Sequence, residues 1–594
     1  MKKIIGLFFA FMISNTISID LSSNLEFQKG KIVDQDLSDS EMIYPLQNFL
    51  IELDENEEFS LSAEITSKRI IDNKELLYID NLMSDLNAYS QHEIQTSEND
   101  RVTYFISEPM YMRGIRVIQI SVLPYFYDSN NRSIVLYENM SINIDFDDFD
   151  EAVDEFYQIP LSADFESIIS GLVPNFQTRT RNENIKPCVL YICGGNSLSN
   201  SSMQDLINWR KEMGYEVHVA ETNQIGSSTG SIKNYIEEAY ESWNNPPEYI
   251  VLVGDTGGSY AIPYFSTTWG ASDFDYTLIE GDDLLPEMIV GRISAEGSSD
   301  LNNIINKTLA YEKATYMDFT GTNWYERAAL NADPSSSGNS TIITNEYIEE
   351  ILEQNGFEDV QTNYGNGNYS SWMQSQLSEG LLYFNYRGYI GTSGFGSGNI
   401  NNANNGYMNP FATFITCSTG DFNYTSLSED FIRAGSETNP KGAVAAVGTA
   451  TSSTHTAPNN IIQMGIYDGI FSKELKTAGA SLVNAKVTLF NTYIVGAYGT
   501  VDNFTHWNNL MGDPVLNLWT DTPQALNVQH SPQINWGSNH FQVVIQDEEQ
   551  QYIENAWVTL TKEDWGDESL SAFTDQNGVV VFDLNYTDES PITL

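Results

Sequence analysis

Basic residues, histidines and cysteines are scarce in this 594-residue chain, and each shortage excludes a class of structure or partner. Only 28 lysines and arginines stand against 81 aspartates and glutamates, which gives a formal net charge of -53. A field of that sign repels phosphate backbones and anionic lipids, so we expect no nucleic-acid partner. No membrane-length apolar run occurs beyond the N-terminus, so we also expect no membrane insertion.

Three cysteines are too few for a disulfide framework. Cys188 and Cys193 are five residues apart in "PCVLYICGG", and an extended strand would separate their Cα atoms by roughly 16 Å, beyond bridging distance. We interpret both as buried, inert strand residues. Cys417 is then the one thiol that calls for an explanation.

The N-terminus has the pattern of a secretory signal peptide over residues 1–18. Two lysines precede an apolar run, and "TIS" supplies a small-x-small end in "MKKIIGLFFAFMISNTIS". We therefore expect a secreted or cell-surface protein. Acidic segments such as "DFDDFDEAVDEF" (145–156), "DFDY" (273–276) and "EGDD" (280–283) could hold structural calcium through oxygen ligands, although a solvated acidic surface is the simpler interpretation.

The hydrophobic pattern changes along the chain and predicts four folded regions after residue 18. Residues 19–182 are rich in β-branched and aromatic residues and predict a β-rich domain. Strands alternate with helical segments over 186–320 and again over 321–522, which predicts two adjacent α/β subdomains on parallel strands. Residues 523–594 alternate like a small antiparallel β-sandwich that ends within a strand pattern. The polar segment from Asn175 to Pro187 contains two arginines and predicts an exposed linker.

Candidate functional residues follow the carboxyl ends of strands in the region 321–522. In open parallel sheets, functional groups gather beyond these strand ends. Asp333 follows "RAALNA", Tyr389 follows "GLLYFNYRG", Cys417 ends "FATFIT", and His455 comes shortly after "GAVAAVGTAT". We expect all four to project over one edge of the same sheet.

Cys417 has two interpretations. The strand alone favours a buried structural thiol. The "STGD" turn that follows favours a reactive thiol, because Gly420 lets the backbone approach a substrate and N–H groups of such a turn can stabilise an oxyanion.

Between Cys188 and Thr522 the chain resembles the gingipain-type cysteine peptidases of family C25. The matching motifs, in chain order, are "INWRKEMGYEV", "YIVLVGD", "VGRIS", "LLYFNYRG", "ITCSTGDF", "PKGAVAAVGTATSS" and "MGDPVLNL". The resemblance implies a caspase-like α/β fold and a protein or peptide substrate, with no cofactor required for the chemistry. The β-rich region resembles the family's propeptide, which implies an intramolecular inhibitor. The tail resembles an immunoglobulin-like domain.

The family's site residues carry over to this sequence only in part. The nucleophile falls on Cys417, and the acidic residue that orients the catalytic histidine falls on Asp333. The histidine itself falls on Tyr389, and phenols are poor general bases at neutral pH. The aspartate of the arginine-specificity pocket falls on Thr341, so a preference for arginine is not carried over.

Three further residues complete the predicted site. Gly388 and Gly420 are assigned to substrate binding together with Thr341. His455 is the replacement base that remains after elimination among six histidines, since it follows a strand expected beside that of Cys417. The alternative for His455 is a pocket-wall or surface histidine that moves no proton, and the alternative for Tyr389 is a packed aromatic residue.

Three functions remain open at this point. The first is an exported cysteine peptidase zymogen. The second is a pseudopeptidase that keeps the fold in order to bind peptides or surface polymers. The third is a cation-binding adhesive surface protein, which the acidic charge and the tail domain favour.

Overall fold

The computed structural model describes most of the chain. The described residues are 10–12, 16–22, 25–28, 31–34, 46–53, 57–72, 91–96, 100–128, 131, 133–146, 159, 161–176, 186–493, 498–562, 569–586 and 592–593. The predicted linker therefore falls largely outside them, since 177–185 are not described. The same holds for 147–156 of the first acidic segment.

The N-terminal domain is β-rich and consists mainly of two five-stranded sheets. One has the order β1-β2-β12-β11, with β6 also paired to β12; the other has the order β5-β10-β8-β7, with β9 also paired to β10. Its elements are β1 Ala10–Met12, β2 Thr16–Ser22, β3 Leu25–Gln28, β4 Lys31–Asp34, β5 Gln47–Glu52, β6 Phe59–Asp72, β7 Gln91–Gln95, β8 Arg101–Ile106, β9 Met110–Met112, β10 Ile115–Val122, β11 Tyr125–Asp128, β12 Ser133–Phe146 and helix α1 Ala163–Ser170.

The predicted end of the signal peptide falls inside a strand of this domain. β2 spans Thr16–Ser22 and pairs with β12 from Thr16 to Ser22. Ile17 and Ile19 of β2 are fully buried in the domain core. Residues 16–18, the predicted end of the signal peptide, are therefore the first three residues of a strand in this sheet.

The central region is one α/β unit in which strands and helices alternate. Its strands are β13 Cys188–Cys193, β14 Glu216–Glu221, β15 Tyr249–Val253, β16 Phe265–Thr267, β17 Gly270–Ser272, β18 Ile289–Ile293, β19 Arg327–Ala332, β20 Asp359–Tyr364, β21 Tyr383–Arg387, β22 Phe411–Ile415, β23 Gly435–Ser436, β24 Asn439–Pro440, β25 Ala445–Thr449 and β26 Asn508–Met511. Its helices are α2 Ser201–Glu212, α3 Thr222–Ile225, α4 Thr229–Ser242, α5 Ser298–Glu312, α6 Met317–Thr320, α7 Pro334–Ser337, α8 Ser340–Gln354, α9 Tyr369–Glu379, α10 Ser397–Asn402, α11 Leu427–Arg433, α12 Thr456–Phe471, α13 Ala478–Thr492 and α14 Tyr498–Trp507.

A single ten-stranded sheet runs through both predicted subdomains, in the order β14-β13-β15-β18-β26-β25-β22-β21-β19-β20. β26 joins the halves: it pairs parallel with β18 and antiparallel with β25. The other pairs in this sheet are parallel. The predicted parallel α/β fold is confirmed, and the sheet is mixed because of this one short strand.

β22 and β25, which precede Cys417 and His455, are adjacent and fully buried. The helix that follows β25, α12, was not expected from the sequence. It is apolar on nearly every face and most of its residues are buried, so it lacks the one-sided periodicity of a surface helix. Burial on all sides fixes its N-terminus, and therefore His455, beside the end of β22.

The C-terminal region forms two three-stranded antiparallel sheets. Their orders are β27-β28-β31 and β30-β29-β32, and their cores share one cluster that contains Val543, Leu560 and Phe582. The strands are β27 Asn527–His530, β28 Gly537–Gln546, β29 Trp557–Lys562, β30 Ser569–Phe573, β31 Val579–Tyr586 and β32 Ile592–Thr593. Among the helices in the described ranges, none is both long and apolar enough to cross a membrane.

A hairpin of the N-terminal domain docks on the central region at the amino-terminal edge of its sheet. This docking hairpin consists of β9, the turn Arg113–Gly114 and β10, and both turn residues have positive φ. Arg113 is 2% exposed. Its guanidinium donates to the carbonyl oxygens of Pro246, Pro247 and Glu287 at 2.9–3.1 Å. These acceptors precede β15 and β18, so they lie at the edge opposite to Cys417.

Candidate active site

The carboxyl edge of the sheet holds Cys417 in an exposed turn at the end of β22. The thiol is free and partly exposed, unlike the buried thiols of Cys188 and Cys193. Its Sγ lies 2.9 Å from Oγ1 of Thr454, on the loop that follows β25. The adjacency of β22 and β25 therefore brings this loop to the thiol, as the strand-end argument predicts.

Backbone geometry around Cys417 resembles a strained elbow. Ser418, the next residue, has φ 59, a left-handed conformation that costs a non-glycine residue about 1 kcal/mol. The Ser418 N–H donates to the carbonyl of Thr451 at 2.8 Å, which holds the turn against the loop after β25. The N–H of Cys417 donates to no acceptor within the described part of the chain. This donor is therefore not engaged by the described residues.

The N–H of Gly420 does not face a substrate, in contrast to what its sequence context suggests. Its N–H donates to the carbonyl of Thr449 at 3.0 Å, so this donor is already engaged. A Cβ at Gly420 would lie 2.4 Å from the backbone of Gly448. The glycine permits β25 to pass close to the turn, and it contributes to the site by packing instead of by an oxyanion contact.

Asp333 lies at the same edge, after β19, and caps α7. Oδ1 accepts from Ser335 N at 3.0 Å and from Ser335 Oγ, while Oδ2 accepts from Ser393 Oγ at 2.6 Å. Burial raises the pKa of Asp333, but these hydrogen bonds and one from Tyr369 outweigh burial and hold the pKa below its usual value. Asp333 is therefore a buried carboxylate that serines already satisfy.

Tyr389 lies on the loop after β21 and is 52% exposed. Its carbonyl accepts from the hydroxyl of Tyr386 at 3.3 Å, and that hydroxyl also lies 2.8 Å from Ser393 Oγ. Tyr386, Ser393 and Asp333 thus form a connected network beneath the loop that carries Tyr389. Gly388 is required here because a Cβ would lie 2.4 Å from the Tyr386 hydroxyl.

His455 is exposed and forms the N-cap position of α12, next to Thr454. His455 is thus the residue that follows Thr454, whose hydroxyl contacts Cys417 Sγ. Thr341 lies in the first turn of α8 and is fully buried. Its hydroxyl donates to the carbonyl of Gly338 at 3.0 Å, so it offers no charge to a substrate.

A buried arginine beneath the thiol was not expected from the sequence. Arg387 ends β21 and is 1% exposed. It donates to the carbonyl of Ile415 at 2.5 Å and to Oδ1 of Asn460 at 2.6 Å, which ties the end of β22 to α12. Burial lowers the pKa of Arg387 to about 10, against the opposite effects of Tyr386 and Cys417. Its cation thus lies within electrostatic reach of the thiol.

A groove of about 420 Å³ opens beside this network, lined by Asn368, Tyr369, Ser370, Ser371, Gln374, Ser393 and Asn399. Two of its lining residues, Tyr369 and Ser393, hydrogen-bond to Asp333. The groove is therefore contiguous with the carboxyl edge and lined by polar groups.

The acidic loops proposed for calcium have protein partners. The carboxylate of Asp273 accepts hydrogen bonds from Nε and from a terminal nitrogen of Arg292, at 2.8 and 2.6 Å. Asp283 and Glu280 each accept a backbone N–H of the docking hairpin at 2.9 Å. Protein donors thus engage the oxygens that would otherwise be offered to a cation.

A partly exposed cysteine at the carboxyl edge of a largely parallel sheet, with loops from both neighbouring strands beside it, defines a caspase-like cysteine peptidase fold. The family model described as Peptidase family C25 matches residues 183–519, more than half of the chain. The chain belongs to peptidase family C25, the family of the gingipain-like cysteine peptidases.

Curated relatives extend the likeness over most of the chain. Gingipain R2 of Porphyromonas gingivalis (strain ATCC BAA-308 / W83) is 23% identical over 576 residues, which cover 90% of this chain and 74% of that protein. Lys-gingipain W83 of Porphyromonas gingivalis is 27% identical over 288 residues, 46% of this chain and 16% of that protein.

Solved structures agree with the fold. The crystal structure of the Arg specific cysteine proteinase gingipain R (RGPB) matches with a TM-score of 0.59 and 22% identity, over 69% of this chain and 94% of that one. The complex of Porphyromonas gingivalis RgpB pro- and mature domains matches with a TM-score of 0.59 and 22% identity, over 67% of this chain and 93% of that one. At this identity the likeness establishes the fold.

Proposed function

We propose that this chain is a secreted cysteine endopeptidase made as a zymogen, with Cys417 as its nucleophile. The observation that carries the proposal is the partly exposed thiol at the carboxyl edge, whose own N–H has no acceptor among the described residues. The thiolate attacks a peptide carbonyl, and the N–H of Cys417 stabilises the oxyanion that forms. Collapse of this intermediate releases the amine, and water then hydrolyses the acyl-enzyme. None of these steps requires a cofactor.

His455 is our proposed proton acceptor. It neighbours Thr454, whose hydroxyl contacts the thiol, and an imidazole titrates near neutrality. The same imidazole returns the proton to the leaving amine. Tyr389 can at most donate a hydrogen bond, and Asp333 acts here by holding the loop that carries Tyr389 through Ser393.

The N-terminal domain is proposed to inhibit the peptidase until it is removed. The buried docking hairpin supports stable association, and the solved complex of RgpB pro- and mature domains, which matches 67% of this chain, is a precedent for such an arrangement. Activity should therefore rise when the linker 175–187 is cut and the domain dissociates.

Substrate preference is proposed to differ from that of the arginine-specific relative. A buried guanidinium requires a charge-assisted partner. Thr341, at the family's pocket position, is neutral, buried and hydrogen-bonded to Gly338. We therefore propose a pocket that does not demand arginine.

A pseudopeptidase that binds peptides is the second candidate function. It is favoured by the hydrogen bonds of Asp333, because serines occupy a carboxylate that would otherwise orient a catalytic imidazole. In that case the polar groove beside Ser393 would hold a peptide without cleaving it.

Labelling and turnover of the processed protein separate the two functions. An electrophilic thiol probe should label the parent and Cys193→Ala but not Cys417→Ala, because Cys193 is buried. Cys417→Ala should abolish peptide cleavage, His455→Ala should reduce it at least 100-fold, and Tyr389→Phe should change it only a few-fold. A parent that binds peptides without turnover would establish the pseudopeptidase. Full activity in His455→Ala would refute the proposed base.

A further inference from the structure

Three metal-ligating side chains meet on one face of the sheet at the edge opposite to Cys417. Cys188 is the first residue of β13, and Glu216 and His218 lie on the edge strand β14. The parallel register pairs Cys188 with Glu216. Since side chains alternate along a strand, Glu216 and His218 share a face, and Cys188 lies on it too.

Ligand atoms of the three residues converge. One donor atom from each lies within 4.8 Å of the other two. His218 Nε2 is 2.7 Å from Glu216 Oε1, while Cys188 is almost fully buried beneath them. The two residues on the edge strand are only partly buried, so their side chains can adjust without movement of the backbone.

Neighbouring groups contact two of the three ligands. Asn245 Nδ2 donates to the second oxygen of Glu216 at 2.8 Å and to the carbonyl of Lys186 at 3.0 Å. The ring of Trp243 packs against that of His218, with centroids 4.3 Å apart. The hydrogen bond from Asn245 orients the carboxylate of Glu216 as hydrogen bonds to metal-ligating carboxylates do in metal sites.

We propose that Cys188, Glu216 and His218 bind a divalent transition metal of the zinc type. A thiolate, an imidazole and a carboxylate suit a borderline-soft cation, and the two anionic ligands neutralise its charge. Metal–ligand bonds of about 2.0–2.3 Å at tetrahedral angles separate ligand atoms by about 3.3–3.8 Å. The contact between His218 and Glu216, now 2.7 Å, would open by about 0.6–0.8 Å, and the thiol would move closer.

The bound metal would clamp the edge strand where the chain enters the central region. Glu216 N donates to the carbonyl of Pro187 at 3.1 Å, so the ligands lie beside the start of β13 and the predicted linker 175–187. This role is independent of the peptidase chemistry at Cys417, which lies at the other edge of the sheet.

Cobalt(II) titration of the full, reduced chain in a Cys417→Ala background tests the proposal, because this background removes the exposed thiol. We expect one equivalent to bind with a cobalt–thiolate charge-transfer band near the ultraviolet, and zinc to displace it. The band should be lost in Cys188→Ser and in His218→Ala, and zinc should raise the melting temperature of the background by several degrees.

Two matched controls make the result specific. Cys193→Ala removes a second buried thiol on β13, and His540→Ala removes an exposed histidine that pairs with Asp583 without a cysteine nearby. Both should keep the band and the thermal shift. His218→Ala changes a partly exposed residue, so it tests the site even if Cys188→Ser folds poorly. Absence of the band, or its persistence in His218→Ala, would overturn the proposal.

Discussion

Replacement of Arg113 by methionine should release the N-terminal domain from the central region. The guanidinium is 2% exposed and donates to three carbonyl oxygens across the interface, two of them from Pro246 and Pro247. Its Cζ also lies 5.3 Å from the ring centroid of Phe165. Methionine keeps the aliphatic packing and removes the charge and the donors. Hydrogen bonds from a charged group contribute about 1.5–3 kcal/mol each and are not additive, so we expect a loss of about 3–4 kcal/mol.

That loss corresponds to roughly 100- to 1,000-fold weaker association, since about 1.4 kcal/mol is a factor of ten. The dissociation constant of the N-terminal fragment after cleavage in the linker measures it directly. Arg116→Met is the matched control, because Arg116 lies in the same hairpin but donates to Leu53 within its own domain. Equal retention of the fragment in the parent and in Arg113→Met would refute the anchoring role.

Limited trypsin should cut first at Arg179 or Arg181, and an earlier cut within 188–522 would place the domain boundary elsewhere. A fluorogenic peptide panel should show no strong selectivity for arginine over leucine, because Thr341 is neutral and buried; strong arginine selectivity would require another carboxylate. Burial raises the pKa of Asp283 to about 6 from 3.8, so its stabilising contribution is present below pH 3.8 and lost as the pH rises through 6. The melting temperature of the parent minus that of Asp283→Asn should therefore fall between pH 4 and pH 7, and a constant difference would contradict the assignment. Burial lowers the pKa of His506, but hydrogen bonds to Asp275 and Asp502 outweigh the effect of burial and raise the pKa to about 9. The free energy of unfolding of the parent should therefore exceed that of His506→Asn by its full margin below pH 6.5. This difference should disappear as the pH rises through 9.

The alternation of strands and helices was readable because most helices of the central region have one apolar face. α12 was not, since it is buried on nearly all sides and carries no helical period. β26 was missed because four residues of a short strand give no periodic signal, although they join the two halves of the sheet. Local patterns thus predict elements that face both solvent and core, and they fail where tertiary packing alone decides.

The strand-end rule found Cys417 and brought the loop after β25 to it, but it missed the groups that surround the thiol. Thr454 contacts Sγ and Arg387 donates to the carbonyl of Ile415 at the end of β22, and the sequence holds no local signal for either contact. The prediction for the turn after Cys417 differs from the structure in one respect. Gly420 packs against Gly448 of β25, and its N–H donates to the carbonyl of Thr449 in the same strand. Only the packed structure distinguishes a donor that is engaged from one that is available.

The sequence prediction places Tyr389 at the position of the family histidine, and the hydrogen bonds around Asp333 bear on that prediction. Both oxygens of Asp333 accept from serine hydroxyls, Oδ1 from Ser335 and Oδ2 from Ser393. The other flank of the thiol carries the polar groups: Thr454 contacts Sγ, His455 follows it, and the cation of Arg387 lies beneath. In the proposed mechanism, proton transfer at Cys417 is assigned to His455 on the loop after β25, because Tyr389 on the loop after β21 offers only a phenol. The activity of His455→Ala relative to Tyr389→Phe is therefore the quantity that separates a rewired peptidase from a fold that has kept only its groove.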